Sequence, residues 1–343
     1  MTTNPTMSSG VLIVDKPQGV TSHDVVAACR SLLHTSKVGH AGTLDPMATG
    51  VLVIGFGSAT RLLNSIVGTD KTYMTTIRLG LRSTTDDADG ELIYPDNQEE
   101  VSQCLTELTR EKIVSTINEQ LVGRIKQVPS TFSAKKINGQ RAYDLARNGE
   151  DVQLKAQDIT ISSFDVLDVR HTEAAAVDVD ARVTCSAGTY IRALGRDLGE
   201  LLSVGGYLTL LRRERVGNFN ADDAMALKFS AVERVFTDRD GVEQRRMKAV
   251  YPDDLRDNQE ALNVHIITPF QAAAATLPMI ELSDEQAVDI SFGRPLELSI
   301  PHVVAASYKT HLMALLEPWK KHVCKPSTVF ITSRELATLI QEG

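Results

Sequence analysis

The sequence predicts an α+β protein with a mixed sheet and a small β-rich unit at its C-terminal end. Three observations carry that prediction. Strand-like and helix-like apolar patterns interleave along residues 11–230. Successive strand patterns are joined by tight turns in some places and by helices in others. A charged stretch at 233–262 then interrupts the apolar periodicity, and a compact group of strand patterns follows it.

Taken in order, Val-Leu-Ile-Val-Asp-Lys at 11–16 is a short apolar strand, closed by the Pro17-Gln18-Gly19 turn. Ser22 is placed to cap the next helix, whose apolar positions are Val25, Val26, Cys29, Leu32 and Leu33. A glycine-rich loop leads into a strand at 51–56, and 58–67 reads as a helix. The alternation of 71–80 is that of a strand, and 83–90 is an acidic, turn-rich loop. Thr109 should cap a helix over 109–120. Residues 128–149 mix a loop, a basic turn at Asn138-Gly139 and a helix from about Arg141. Strands are expected at 157–169 and 176–185, then a glycine turn and a helix carrying Tyr190, Arg192, Leu194 and Leu198. The stretch 233–262 reads as a charged linker or disordered insertion. Beyond it, Ser283 and Gln286 have capping-box spacing, Gly293 should end that short helix, and strands are expected at 295–300, 303–308 and 311–316. The expected division is 10–232, a 233–262 connection, and 263–343.

With 343 residues, 42% of them hydrophobic and 23% charged, the chain can bury a sizeable core and has ordinary soluble composition. The opening MTTNPTMSSG lacks a basic region followed by an apolar one, and no apolar run approaches the ~20 residues of a membrane helix. A cytoplasmic location and no membrane partner are expected. Cys29, Cys104, Cys185 and Cys324 are scattered and form no CxxC pair, so neither a metal site nor a disulfide framework is expected. The net charge of −8 does not advertise a nucleic-acid binder, yet bases crowd 124–147, 192–215 and 320–325. An acidic total can hide a basic face.

The loop VGHAGTLDPMATG places one acid, Asp45, among several glycines. Pro46 fixes its own φ and pushes Asp45 away from helical geometry, while Gly39, Gly42 and Gly50 permit tight turns or close backbone approach. The loop is neither a Walker A sequence nor a nucleophile elbow. Taken alone, it reads first as a structural turn, with Asp45 as a helix cap or a turn-former.

The longer context resembles the TruB family, the tRNA pseudouridine synthases that act on the T arm. Gly39, His40, Gly42, Leu44, Asp45, Pro46, Ala48, Gly50, Val51 and Leu52 all fall on that family's signature. The blocks Asp15 to Ser22, Lys71-Thr72-Tyr73, Thr85 to Gly90, Val128 to Tyr143, Cys185 to Arg192 and Leu211-Arg212-Arg213 resemble further family blocks in the same order. The likeness covers about residues 11–230, and 267–301 resembles the small PUA-like domain of some members. It departs at Thr84, where many members carry an acid, and at Ala41, where many carry threonine.

The resemblance implies a pseudouridine synthase fold with a central mixed, mostly antiparallel sheet, and isomerisation of uridine to pseudouridine in the T loop of tRNA by base flipping. It implies Asp45 as nucleophile, Tyr73 stacking on the flipped base, and Arg192 pairing with Asp45. Asp87 would share the hydrogen-bond network of that arginine, with Asp86 and Asp89 solvated. Leu211 would wall the base pocket, and His40 and Tyr190 would contact the flipped nucleotide or its surroundings. Lys126, Lys135, Lys136, Arg141, Arg212, Arg213 and Arg215 are candidates for RNA-backbone contacts. Such an isomerisation needs no cofactor and no metal. The expected partner is the tRNA T stem-loop, without a guide RNA, and the chain is expected to act as a monomer. The alternatives are a non-catalytic RNA-binding or tRNA-folding protein on the same scaffold, a guide-dependent relative, and an unrelated aspartate-dependent hydrolase.

Overall fold

The computed structural model describes residues 7–130, 136–137, 140–141, 154–172, 176–237 and 241–341; for 136–137 and 140–141 it describes the backbone alone. The first half runs β1 (Gly10–Lys16), α1 (Ser22–Leu32), β2 (Val38–His40), β3 (Thr49–Phe56) and β4 (Lys71–Leu79). Helix α2 (Arg110–Gln120), β5 (Gly123–Gln127), β6 (Gln157–His171), β7 (Val177–Cys185), α3 (Ile191–Leu201) and β8 (Gly206–Val216) follow. A hairpin of β9 (Ser230–Thr237) and β10 (Glu243–Val250) precedes the C-terminal unit. That unit holds β11 (Met279–Glu281), α4 (Asp284–Ser291), β12 (Val304–Tyr308), β13 (His311–Lys320), β14 (Val323–Val329) and α5 (Ser333–Gln341).

The large sheet has the order Leu227–Lys228, β1, β3, β8, β4, β7, β6, β5. Only the pairs of β1 with Leu227–Lys228 and of β3 with β8 are parallel along this path. The sheet is therefore mixed and mostly antiparallel, as expected. Strand alternation sorts its side chains onto two faces. One face carries Leu12, Val14, Leu52, Ile54, Tyr73 and Ile77 into a core completed by apolar residues of α1, α2 and α3. The other carries Val11, Ile13, Val51 and Val53 against Ala272 and Ala273 and against Ala305, Leu315 and Phe330 of the C-terminal unit. That unit thus shares a core with the sheet and also has one of its own. Farther along, the second face is polar and ionic. Arg78 holds Asp178 at 2.7 Å, and Thr76 donates to Asp180 at 2.7 Å.

Several local expectations need correction. The cap of α1 is Thr21, in a reciprocal box with Asp24, which leaves Ser22 free for another task. Residues 58–67 split into a 3-10 turn, Gly57–Leu62, and a short helix, Leu63–Val67. Residues 295–300 form no strand. Leu296 makes a single bridge to Cys324, and Pro295 and Pro301 on either side have no N–H to extend it. The stretch 233–262 is no structureless linker: it contains most of the β9–β10 hairpin, a 3-10 turn at Asp253–Leu255 and the helix Gln259–Asn263. A two-stranded ribbon buries side chains only at its base, so its sequence shows little apolar periodicity. The helix expected from Arg141 lies outside the described residues.

Candidate active site

Asp45 lies on the turn that joins β2 to β3, and four neighbours hold that turn from different sides. Ser22 Oγ donates to the Leu44 carbonyl at 3.0 Å and accepts from the Leu44 N–H at 2.8 Å. Lys16, fully buried, donates through Nζ to the carbonyls of Val20 at 2.7 Å, Pro17 at 2.9 Å and Pro46 at 3.3 Å. The Gly19 N–H donates to the same Pro46 carbonyl at 2.8 Å. Arg213, 1% exposed, donates from Nε to Val51 at 2.8 Å and from Nη2 to Gly42 at 3.0 Å, bracketing both flanks of the loop. Gly50 sits at φ +100°, and a Cβ there would fall 2.1 Å from the Arg213 carbonyl oxygen. This glycine is required by both conformation and close approach.

The carboxylate so placed meets Arg192 from the first turn of α3, with Oδ2 2.9 Å from Nε. Arg192 is buried, and its Nη1 reaches the Thr85 carbonyl at 2.9 Å and Asp87 Oδ2 at 3.3 Å. Asp87 is itself buried and accepts from the Asp89 N–H at 3.1 Å and from the Thr85 hydroxyl. The Asp45 side chain keeps 35% of its surface open. Its depth nevertheless pushes the carboxyl above the usual aspartate range, with the Arg192 guanidinium pulling it back.

A cleft of about 260 Å³ opens over the carboxylate, lined among others by Tyr73, Tyr190, Leu211 and Arg213. Tyr73 projects from β4, directly opposite Arg213 on β8. Burial pushes its phenol up, against the pull of Arg213, so the hydroxyl stays protonated at neutral pH. Lys71, two residues earlier on the same face, also lines the cleft, and burial lowers its ammonium to about 8. The site therefore offers one carboxylate held by a cation, an aromatic face, an apolar wall and a neutral phenol. Among the described residues, no cluster of His, Cys, Asp and Glu is arranged to hold a metal ion.

The structure thus brings Asp45, Tyr73, Tyr190, Arg192 and Leu211 to one cleft, with Asp87 behind Arg192. His40 is not on that lining. It pairs with Ile54 and meets His23 edge-on at 6.2 Å, and burial keeps its ring below the usual histidine range. Asp86 is not solvated as expected: its side chain is 15% exposed and ion-pairs with Arg196 at 3.3 Å.

The expected backbone contacts divide. Lys126 is exposed on β5. Lys135 lies outside the described residues, and the side chains of Lys136 and Arg141 are not described. Arg212, Arg213 and Arg215 do not form the free basic cluster expected of them. Arg212 makes a two-pronged pair with Asp15, 2.9 Å on each arm. Arg213 is buried, and Arg215 donates to Gly217 at 2.8 Å and to Thr72 at 3.0 Å. They lie on one strand, whose alternation sends Arg212 and Arg213 to opposite faces.

Sequence reasoning missed Gln127. It is fully buried, donates to the Tyr190 carbonyl at 3.0 Å and accepts from the Tyr190 N–H at 2.9 Å, so it sets where that tyrosine enters the cleft. Nothing in its sequence surroundings marks it. Lys16 and Ser22 could have been found, since both stand in the Asp-Lys-Pro to Thr-Ser block that resembles the family pattern.

With the geometry in hand, known proteins supply the chemistry's name. A model described as TruB family pseudouridylate synthase (N terminal domain) matches residues 30–191. A protein of Bifidobacterium longum (strain DJO10A) named tRNA pseudouridine synthase B is 47% identical, covering 95% of this chain and 98% of that one. One of the same name from Arthrobacter sp. (strain FB24) is 49% identical over 84% of this chain and 82% of its own. The fold is shared with a chain in the crystal structure of a Cbf5-Nop10-Gar1 complex, with a TM-score of 0.67, 23% identity and coverage of 96% and 87%. It is shared as well with one in an archaeal box H/ACA sRNP Nop10-Cbf5 complex, with a TM-score of 0.66, 22% identity and coverage of 97% and 90%. The chain is an enzyme with the pseudouridine synthase fold, and it belongs to the TruB family of pseudouridine synthases.

Proposed function

We propose that this enzyme converts the T-loop uridine of tRNA to pseudouridine, with Asp45 as the nucleophile and no cofactor, acting as a single chain in the cytoplasm without a guide RNA. The observation that carries the reading is the Asp45–Arg192 contact of 2.9 Å at the floor of a cleft with an aromatic face and an apolar wall. The names of the relatives supply the tRNA.

The reaction breaks the bond from ribose C1′ to N1, turns the base, forms a bond from C1′ to C5, releases the C5 proton and leaves a proton taken up on the freed N1. Atoms and electrons balance without a redox partner or water. A base inside a folded RNA must leave its stack to reach Asp45. Tyr73 and Leu211 then sandwich the uracil, and the neutral Tyr73 hydroxyl hydrogen-bonds it. Arg192 keeps Asp45 oriented and favours its ionised form against burial.

Mapping pseudouridine on an unmodified tRNA transcript by carbodiimide adduct and primer extension tests the assignment. A single stop at the T-loop uridine is expected, and it should vanish when that uridine is replaced by cytidine. A stop elsewhere, with none in the T loop, would overturn the substrate assignment.

The electrostatics predict a pH profile. The rate at saturating RNA should fall as pH drops and Asp45 takes up a proton, with the acidic limb above that of a free aspartate because burial raises this group. In Arg192→Lys, which loses the Nε contact, the limb should move to higher pH. An unmoved limb in a folded variant would show that Arg192 does not hold the charge on Asp45.

A further inference from the structure

We infer that the β9–β10 hairpin is a second RNA-binding surface, gripping the substrate's phosphate backbone outside the cleft. The inference rests on the RNA-substrate reading above. In the hairpin register Val232 faces Lys248, Arg234 faces Arg246 and Phe236 faces Gln244, so these six residues share one face. All six are exposed, with Val232 and Phe236 each at 46%.

The opposite face differs in kind. Ala231, Met247 and Ala249 at its base pack onto the core that holds α1. Farther out, Arg245 lies between Glu233 at 3.7 Å and Glu243 at 3.5 Å, so the strand acids are used up on that side. On the exposed face Arg246 reaches Asp24 at 2.6 Å, while Arg234 and Lys248 have no carboxylate within ion-pair distance among the described residues. The ribbon thus presents a cationic face with an aromatic ring at its outer end.

Asp24 already balances Arg246, which leaves Arg234 and Lys248 as the charges of this face without a carboxylate in ion-pair distance among the described residues. An anion laid over these two would supply the missing countercharge. A phosphodiester backbone supplies such charge, and an adjacent unpaired base could stack on Phe236. The hairpin is also joined to the catalytic loop. A Cβ at Gly19 would lie 3.6 Å from Met247, and the Gly19 N–H is bonded to the Pro46 carbonyl, one residue past Asp45.

The test compares the full native chain with Arg234→Gln/Lys248→Gln, using the intact tRNA transcript. Steady-state pseudouridine formation and RNA binding at several salt concentrations are measured. The double variant should raise KM and the RNA Kd about tenfold, keep the rate at saturating RNA, and lower the slope of log K against log salt by about 2. Its thermal midpoint should not fall, because neither side chain has a carboxylate partner to lose among the described residues. Arg245→Gln, on the other face, should leave KM and the slope unchanged. A double variant with native KM and salt slope overturns the inference, and so does an equal effect from Arg245→Gln. If the native chain forms no pseudouridine, the underlying substrate reading fails instead. In that case RNA binding that still depends on Arg234 and Lys248 upholds the ribbon as an RNA surface, and binding that does not depend on them overturns it.

Discussion

Asp45→Asn should abolish pseudouridine formation, with a loss of at least about four orders of magnitude, while the variant still binds tRNA. Asparagine fills nearly the same volume and can still accept from Arg192, so the loop should keep its shape. What disappears is the negative charge and the nucleophilic oxygen. Product formation in single-turnover assays and RNA retention on a filter separate the two properties. A variant that keeps even a tenth of the native rate would remove Asp45 from the chemistry. A variant that loses RNA binding along with product would make the residue a folding or docking element instead.

Arg213→Met should lower the rate at saturating RNA by about a hundredfold while changing RNA affinity only a few-fold. The guanidinium binds the carbonyls of Gly42 and Val51, the two flanks of the Asp45 turn, from within the sheet. Methionine occupies much of the same space but leaves those buried carbonyls without donors and releases the turn. A misplacement of about 1 Å at the reacting carboxylate is enough for a loss of that size. Arg213→Lys restores one cation with a different donor geometry and should recover part of the rate. Rate constants and Kd would be measured beside a thermal melt. A folded Arg213→Met chain with native turnover would refute the positioning role.

That role also shows what the sequence could and could not disclose. Asp45, Tyr73 and Arg192 were legible because each sits in a long, specific block, and the structure brings the three blocks to one cleft. Arg212, Arg213 and Arg215 were misread because a run of bases looks like a surface patch until strand register is known. Pairing with β3 and β4 turns one arginine inward to the loop carbonyls and another to Asp15. The hairpin at 230–250 was hidden for the opposite reason. Its charges alternate across two faces, so neither a helical nor a half-buried strand period stands out. The sheet class was readable from the interleaved patterns, whereas the parallel pairing of β3 with β8 depends on contacts far apart in sequence. Gln127 acts entirely through such a contact, 63 positions from Tyr190.

The most direct measurement is tritium release from a tRNA transcript labelled at C5 of its uridines, catalysed by the native chain. Formation of the new C1′–C5 bond requires loss of that atom, so release reports the isomerisation itself. The account predicts one tritium released per tRNA, with the modified position in the T loop. Tight RNA binding without any release would contradict it and leave a scaffold that holds tRNA but performs no chemistry.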